Sequence, residues 1–341
     1  MFYKQKAAAL AAAAARNTRA LTKLQNAISY YQPAGNDAAL FDAMLTDPGV
    51  VGHLAMSNFA VRHAAQEALI DAVLNRYARI RRCRQIRHFF FTAAIDAGFT
   101  FLCGPMINLA ALQRKIVFAL NHVGLHAVCA FEIDVLSKIL TYDPPRIFFD
   151  EPCRRILFHV HAITWTTDSA FKPVVAAREL MKLRSYGNAL GVPSIDICSR
   201  AQSYARRRKA LPLPHRDQTA ASMARMARYL LKAPIVARNY VPPHDGERGQ
   251  LYDEEGAYNL KTALRMAELW SHIPAGNAVF GVGEGAVVAD AYRQTLRDWA
   301  ATQGPHVAYL DHNDIAAAWR RLWAQYPEIG FSPPLIRSRD A

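Results

Sequence analysis

Two apolar runs, each interrupted by a pair of polar residues two positions apart, constrain this chain most. Ala127-Val-Cys-Ala-Phe-Glu132-Ile-Asp134-Val135 carries two carboxylates, and Ile156-Leu-Phe-His159-Val160-His161-Ala-Ile-Thr-Trp165 carries two imidazoles. Both runs are rich in β-branched and aromatic residues and read as strands. Side chains alternate across a strand, so His159 and His161 share a face, as do Glu132 and Asp134. A carboxylate inside a sheet is costly unless it is paired or metal-bound. If the two strands are neighbours, Glu132 or Asp134 completes a His-His-carboxylate metal site with open positions for substrate and water. An H-x-H also arises by chance in a chain with 12 His. The acidic strand therefore carries much of the reading, with one of its carboxylates expected at a solvated strand edge.

The surrounding pattern suggests an α+β fold. Residues 1–86 read as a helical N-terminal region, with apolar spacing such as Leu54, Val61, Leu69 and Val73. It ends in a basic run, Arg76, Arg79, Arg81, Arg82, Arg84 and Arg87, which reads equally as a solvated helix face or as a phosphate-contacting surface. From His88 the texture changes. His88–Leu102 reads as a strand with a bend at Gly98, and Ile107–Val123 as a helix closed by Gly124. The strands over 126–135 and 154–167 follow, then a helix over 172–190 and a short strand over 194–199. A last helix over 217–232 has Asp217 as its expected N-cap. The order β-α-β-β-α-β over 87–235 predicts a ferredoxin-like or RRM-like antiparallel sheet with helices on one face. Val241–Gly246 reads as a linker into a mostly helical C-terminal region, 236–341. Gly281-Val-Gly283-Glu-Gly285 lacks a following Lys-Ser/Thr and a clear preceding strand, so it reads as a turn between helices rather than a phosphate loop.

A third polar constellation lies in Met223-Ala-Arg225-Met-Ala-Arg228-Tyr229-Leu-Leu-Lys232. Tyr229 and Lys232 are spaced i, i+3 and Arg225 lies one turn earlier, so all three share a helix side. A phenol, with an ordinary pKa of about 10, is a weak nucleophile near neutral pH unless cations favour the phenolate. The same spacing also fits an amphipathic helix with a half-buried tyrosine.

Composition narrows the class. Lys+Arg exceed Asp+Glu by 41 to 28, a net charge of +13, the electrostatic footprint of a polyanion binder. It is also compatible with an anionic membrane surface or with a solubility device. The 52% apolar content of the 341 residues supports a real core. No window of about 20 apolar residues predicts a membrane span. Five scattered cysteines with no C-x-x-C fit reduced thiols and a cytoplasmic setting.

Taken in order, these segments resemble the motifs of HUH endonucleases, in the branch of single-tyrosine rolling-circle replication initiators, over roughly residues 88–235. Phe89-Phe-Phe-Thr-Ala-Ala-Ile-Asp96 resembles the first motif, His159-Val160-His161 the His-hydrophobe-His motif, and Tyr229-Leu-Leu-Lys232 the Tyr-x-x-Lys motif. The resemblance puts the acidic ligand on Glu132. It implies Mg²⁺ or Mn²⁺ held by His159, His161 and Glu132, with Tyr229 as nucleophile and Lys232 as charge stabiliser. The implied product is a 5′-phosphotyrosine with a free 3′-OH. Arg225, Arg228 and the loop Arg206-Arg207-Arg208 are then the expected DNA contacts. The expected partners are single-stranded DNA or an origin hairpin, with a host helicase and polymerase. No second tyrosine lies one turn from Tyr229, and no third histidine closely follows His161. A transposase or relaxase with the same chemistry, a metal hydrolase, and a non-catalytic nucleic-acid-binding module are the rival readings.

Overall fold

A computed structural model describes residues 2–48, 54–80, 86–100, 106–139, 147–148, 155–183, 195–199, 215–241, 250–254, 258–303, 312–327 and 335–336. Three helices come first: α1 (Tyr3–Tyr31), α2 (Asp37–Thr46) and α3 (Phe59–Ile80). The middle of the chain runs β1 (Arg87–Thr100), β2 (Met106–Ile107), α4 (Leu109–His122), β3 (His126–Ile139), β4 (Ile147–Phe148), β5 (Arg155–Thr166), α5 (Pro173–Met181), β6 (Ile195–Ser199) and α6 (His215–Leu230). The last part runs β7 (Ala237–Val241), β8 (Gln250–Glu254), α7 (Leu260–Ser271), α8 (Ala275–Ala278), β9 (Val279–Val282), α9 (Gly285–Ala301), α10 (His312–Ala324) and β10 (Leu335–Ile336). The fold is α+β.

The sheet is built on four mutually antiparallel neighbours in the order β6-β1-β5-β3. Its hydrogen-bonding register sets Glu132 opposite His159 and Ala130 opposite His161, with Ala94 and Thr92 opposite the same two histidines from β1. Cross-strand partners share a face, so the carboxylate and both imidazoles project together. The β1–β5 register shifts between Ala94 and Asp96 and between Ala97 and Phe99. The second shift falls at Gly98, where a bend is expected. Gly124, just past α4, has φ +67° and fills the left-handed position that ends the helix.

The structure revises several expectations. The free edge of β3 is covered at one end by β9, antiparallel over Ala127–Ala130, and at the other by β7, parallel over Val135–Ile139. β7 and β8 form an antiparallel pair within the C-terminal region expected to be mostly helical; of the expected linker at 241–246 only Val241, the last residue of β7, lies among the described residues. Helices also cover both faces of the sheet rather than one. The face bearing Val128, Ile163 and Trp165 meets α3, α6 and α9 through Val73, Tyr77, Met223 and Val288. The opposite face, with Phe89, Phe91, Cys129, Phe131, Phe158 and Val160, is equally buried. There α4 and α5 pack, and Phe171 meets Phe89 at a ring distance of 5.1 Å. Both faces are apolar apart from the site, so neither can be left to water.

Helix limits shift too. α6 begins at His215, which places Asp217 inside the helix rather than at its N-cap. α5 is described only to Met181, and residues 184–194 lie outside the described set. The N-terminal helices, the sheet and the C-terminal helices contribute to one buried apolar cluster. Cys129 is buried and unpaired. Among the described residues, no helix is long and apolar enough to cross a membrane.

Candidate metal centre

Glu132, His159 and His161 are brought together on the site face of β3 and β5, each no more than 7% exposed. The Glu132 carboxylate reaches both rings: Oε2 lies 3.0 Å from His159 Nε2 and 2.6 Å from His161 Nε2. Asp134, two residues on, lies 3.6 Å from His159 Nε2. The ligand atoms of the trio all lie within 4.8 Å of one another, and the group can hold a metal ion. Asp134 is buried, not at a solvated edge as expected for one of the two carboxylates.

Three further contacts shape the trio. Thr92 Oγ1 lies 2.8 Å from His161 Nδ1. With the ring proton on Nδ1, donated to Thr92, Nε2 keeps its lone pair for a ligand. Phe90 stacks on the His161 ring at 5.4 Å. The Lys232 ammonium contacts Glu132 Oε1. That leaves Oε2 as the oxygen aimed at the histidines.

The electrostatics suit a cation. Burial pulls the His161 pKa from 6.5 down to about 4, against the pull of Glu132, so the ring is neutral at ordinary pH. Burial also raises the Glu132 carboxyl, but Lys232 first, then His159 and His161, outweigh it and hold the group well below its usual range. Glu132 Oε2 and His161 Nε2 are both buried, and neither has a hydrogen bond of acceptable geometry. Two acceptors held this close repel unless a proton or a cation stands between them. The donor set of two imidazoles and one carboxylate oxygen therefore fits a divalent ion.

The candidate nucleophile lies beside the trio. The half-buried Tyr229 ring is 5.0 Å from that of His161 and 5.8 Å from that of Phe90. Lys232 Nζ sits 3.9 Å from the centre of the Tyr229 ring. Tyr229 and Lys232 therefore share a side, as their spacing predicts, although α6 ends at Leu230 and Lys232 follows in a turn. Arg225 and Arg228 are half-buried on α6. Arg206, Arg207 and Arg208 lie outside the described residues, as do Arg81, Arg82 and Arg84 of the basic run. Two arginines of that run are engaged within the fold. Arg76 pairs with Glu284 and lies over Trp165, and Arg87 donates to Ser169 O and Phe171 O.

The end of α6 is gripped by side chains from the N-terminal helices, which the sequence reading did not connect to the site. Arg62 Nη1 donates to Leu231 O and Lys232 O, Gln66 Nε2 donates to Leu231 O, and Arg16 Nε donates to Ala233 O. No local spacing reveals such contacts, because they join residues 165 to 217 positions apart. A polar triplet buried on otherwise apolar helix faces (Asn17, Arg62, Gln66) is the one available hint.

The glycine-rich turn is preceded by β9, contrary to expectation, but its glycines serve packing. A Cβ at Gly285 would lie 1.6 Å from Ala127 O, and one at Gly283, where φ is +54°, would lie 2.3 Å from His126 Nδ1. No protein-family model matches the chain, and neither curated proteins nor solved structures give a match.

Proposed function

We propose that this protein is a metal-dependent DNA nickase and strand transferase that cuts a single strand through a tyrosine nucleophile, as a rolling-circle replication initiator does. We read β1-α4-β3-β5-α5-β6 as a ferredoxin-like unit extended at the β3 edge. One observation carries the functional reading: Tyr229 and Lys232, distant in sequence from Glu132, His159 and His161, converge with them in a single site. The net charge of +13 supports a polyanionic substrate.

His159, His161 and Glu132 would hold Mg²⁺ or Mn²⁺. When bound, that ion supplies Lewis-acid polarisation of the scissile phosphate. Tyr229 Oη forms a bond to phosphorus, the P–O3′ bond breaks, and the products are a 5′-phosphotyrosine and a free 3′-OH. The Lys232 ammonium stabilises the phenolate and the charge that develops on the phosphate. Thr92 and Phe90 fix the His161 ring. Burial of the site excludes water, which favours transfer to tyrosine over hydrolysis. The 3′-OH would prime synthesis by a host polymerase after a host helicase opens the duplex.

The test is a denaturing gel of labelled single-stranded oligonucleotides with Mn²⁺ or with a chelator. The expected result is a metal-dependent protein–DNA adduct that survives denaturation and disappears in Tyr229→Phe. Cleavage without an adduct would instead mean attack by activated water. DNA binding with no cleavage under any metal would leave a binding module.

A further inference from the structure

We propose that Arg16 of α1 binds the phosphate at this site, and that Arg19 and Lys23 extend it into a track for the backbone of a single DNA strand. The statement about the scissile phosphate rests on the nickase reading; the track does not.

Positions 16, 19 and 23 are spaced i, i+3, i+7 and line one side of α1, a span of about 10 Å at the rise of an α-helix. At Arg16 that side reaches the site. Arg16 Nε donates to Ala233 O at 2.6 Å, immediately after Lys232, whose ammonium contacts Glu132. This bond uses one of the five N–H donors of the guanidinium. Among the described residues, Nη1 and Nη2 meet no other partner. The guanidinium is thus anchored at one corner, with its fork left for a ligand.

The surroundings select that ligand. Burial disfavours the Arg16 charge, while Glu132, Tyr229 and Asp134 lie near enough to favour it. A guanidinium partly withdrawn from water and held beside a nucleophile is suited to a planar, bidentate oxyanion such as phosphate. Arg19 is exposed on the next turn, and Lys23 lays its ammonium 5.0 Å from the centre of the Tyr258 ring, which holds it at the surface of α1. A strand whose phosphate sat on Arg16 would run its neighbouring phosphates along these two cations. Base identity plays no part in such contacts, so the track is indifferent to sequence.

The experiment uses the full chain and a fluorescein-labelled, mixed-sequence single-stranded oligonucleotide. Affinity is read by anisotropy across a range of KCl concentrations in chelator. Arg16→Ala, Arg19→Ala and Lys23→Ala are each expected to make the slope of log K against log salt shallower by about 0.7. Arg297→Ala removes one exposed charge from α9 and is expected to leave the slope unchanged. With Mn²⁺, Arg16→Ala is further expected to slow adduct formation about 100-fold or more, while the Mn²⁺-induced rise in melting temperature persists. Slopes unaltered by the α1 substitutions, or altered equally by Arg297→Ala, overturn the track. Adduct formation at the wild-type rate in Arg16→Ala overturns its place at the scissile phosphate. Shallower slopes with no adduct from wild-type protein overturn the nickase reading and leave the track standing.

Discussion

Arg62 offers the sharpest test of how the site is held. Its side chain is 2% exposed, and its guanidinium donates to Met56 O at 2.5 Å, Lys232 O at 3.3 Å and Leu231 O at 3.4 Å, lying 4.7 Å from the centre of the Trp270 ring. Arg62→Met keeps much of the volume and removes the charge. Two effects oppose each other. Burial pulls the Arg62 pKa from 12.5 down to about 10. Removing the charge therefore recovers about 3 kcal/mol of desolvation. Against that, Met56 O and Lys232 O lose this donor at about 1–3 kcal/mol each, and the desolvated contact with Trp270 adds about 2 kcal/mol. Leu231 O is spared, because Gln66 also donates to it. The balance is a destabilisation of about 3 kcal/mol, unlike replacement of both partners of a buried ion pair, which is often neutral, because backbone carbonyls cannot be substituted away with their partner. With a urea m-value of about 3 kcal/mol per M, the midpoint falls by about 1 M. An unchanged or raised midpoint in Arg62→Met would refute the argument, since the charge would then be a net cost that the carbonyls do not repay.

Three further outcomes are expected. Thermal melts should show a Mn²⁺-induced stabilisation of about 2.7 kcal/mol at a hundredfold excess over Kd; His161→Ala should abolish it, and a shift that survives would place the ion elsewhere. Gly285→Ala drives a Cβ to 1.6 Å from Ala127 O and should destabilise by more than about 3 kcal/mol, whereas Gly276→Ala meets nothing within 4 Å and should change stability by less than about 1 kcal/mol; similar urea midpoints for the two variants would count against the packing role of the turn. Asp37 is held below its ordinary 3.8 chiefly by the Arg321 guanidinium, which bonds both carboxylate oxygens at 2.7 and 2.8 Å. Its stabilising contribution is therefore present above the ordinary aspartate pKa and lost as pH falls through the depressed one. The stability gap between wild type and Arg321→Gln should narrow on acidification below about pH 4, and urea midpoints measured across that range would expose a gap that widens instead.

The sheet and its candidate metal trio are legible because period-two alternation is local. Once 126–135 and 154–167 are strands, the shared faces of Glu132 and Asp134 and of His159 and His161 follow. Parity alone cannot choose between the two carboxylates, because it is the same for both; the resemblance points to Glu132, and the register sets Glu132 opposite His159. Thr92 lies in the run matched to the first motif, but its contact with His161 depends on the β1–β5 register, which no spacing encodes. β9 was missed because Val279–Val282 is only four residues long and leads directly into a glycine turn. β7 and β8 were missed because Val241-Pro-Pro, at the end of β7, reads as a loop. The cover on both faces is not legible because α4 and α5 lie between the strands in sequence, whereas α3 and α9 reach the sheet through tertiary contacts of Val73, Tyr77 and Val288.

These long-range contacts bear on what the segment over 88–235 can do alone. Residues 88–235 contain the trio, Tyr229 and Lys232, yet the carbonyls at the end of α6 are met by Arg16, Arg62 and Gln66 from outside that segment. Arg16 and Arg62 also place two cations at a helix C-terminus, where the aligned peptide dipoles favour positive charge. The site face of β3 is further closed by α9 and by the turn after β9, with Glu284 N–H directed at His126 Nδ1 at 3.4 Å. A nucleophile on a helix end is placed only as well as that end is fixed, and a misplacement of about 1 Å can cost about 100-fold in rate. On the nickase reading proposed above, the flanking helices would therefore help to position Tyr229 against the Glu132-His159-His161 trio.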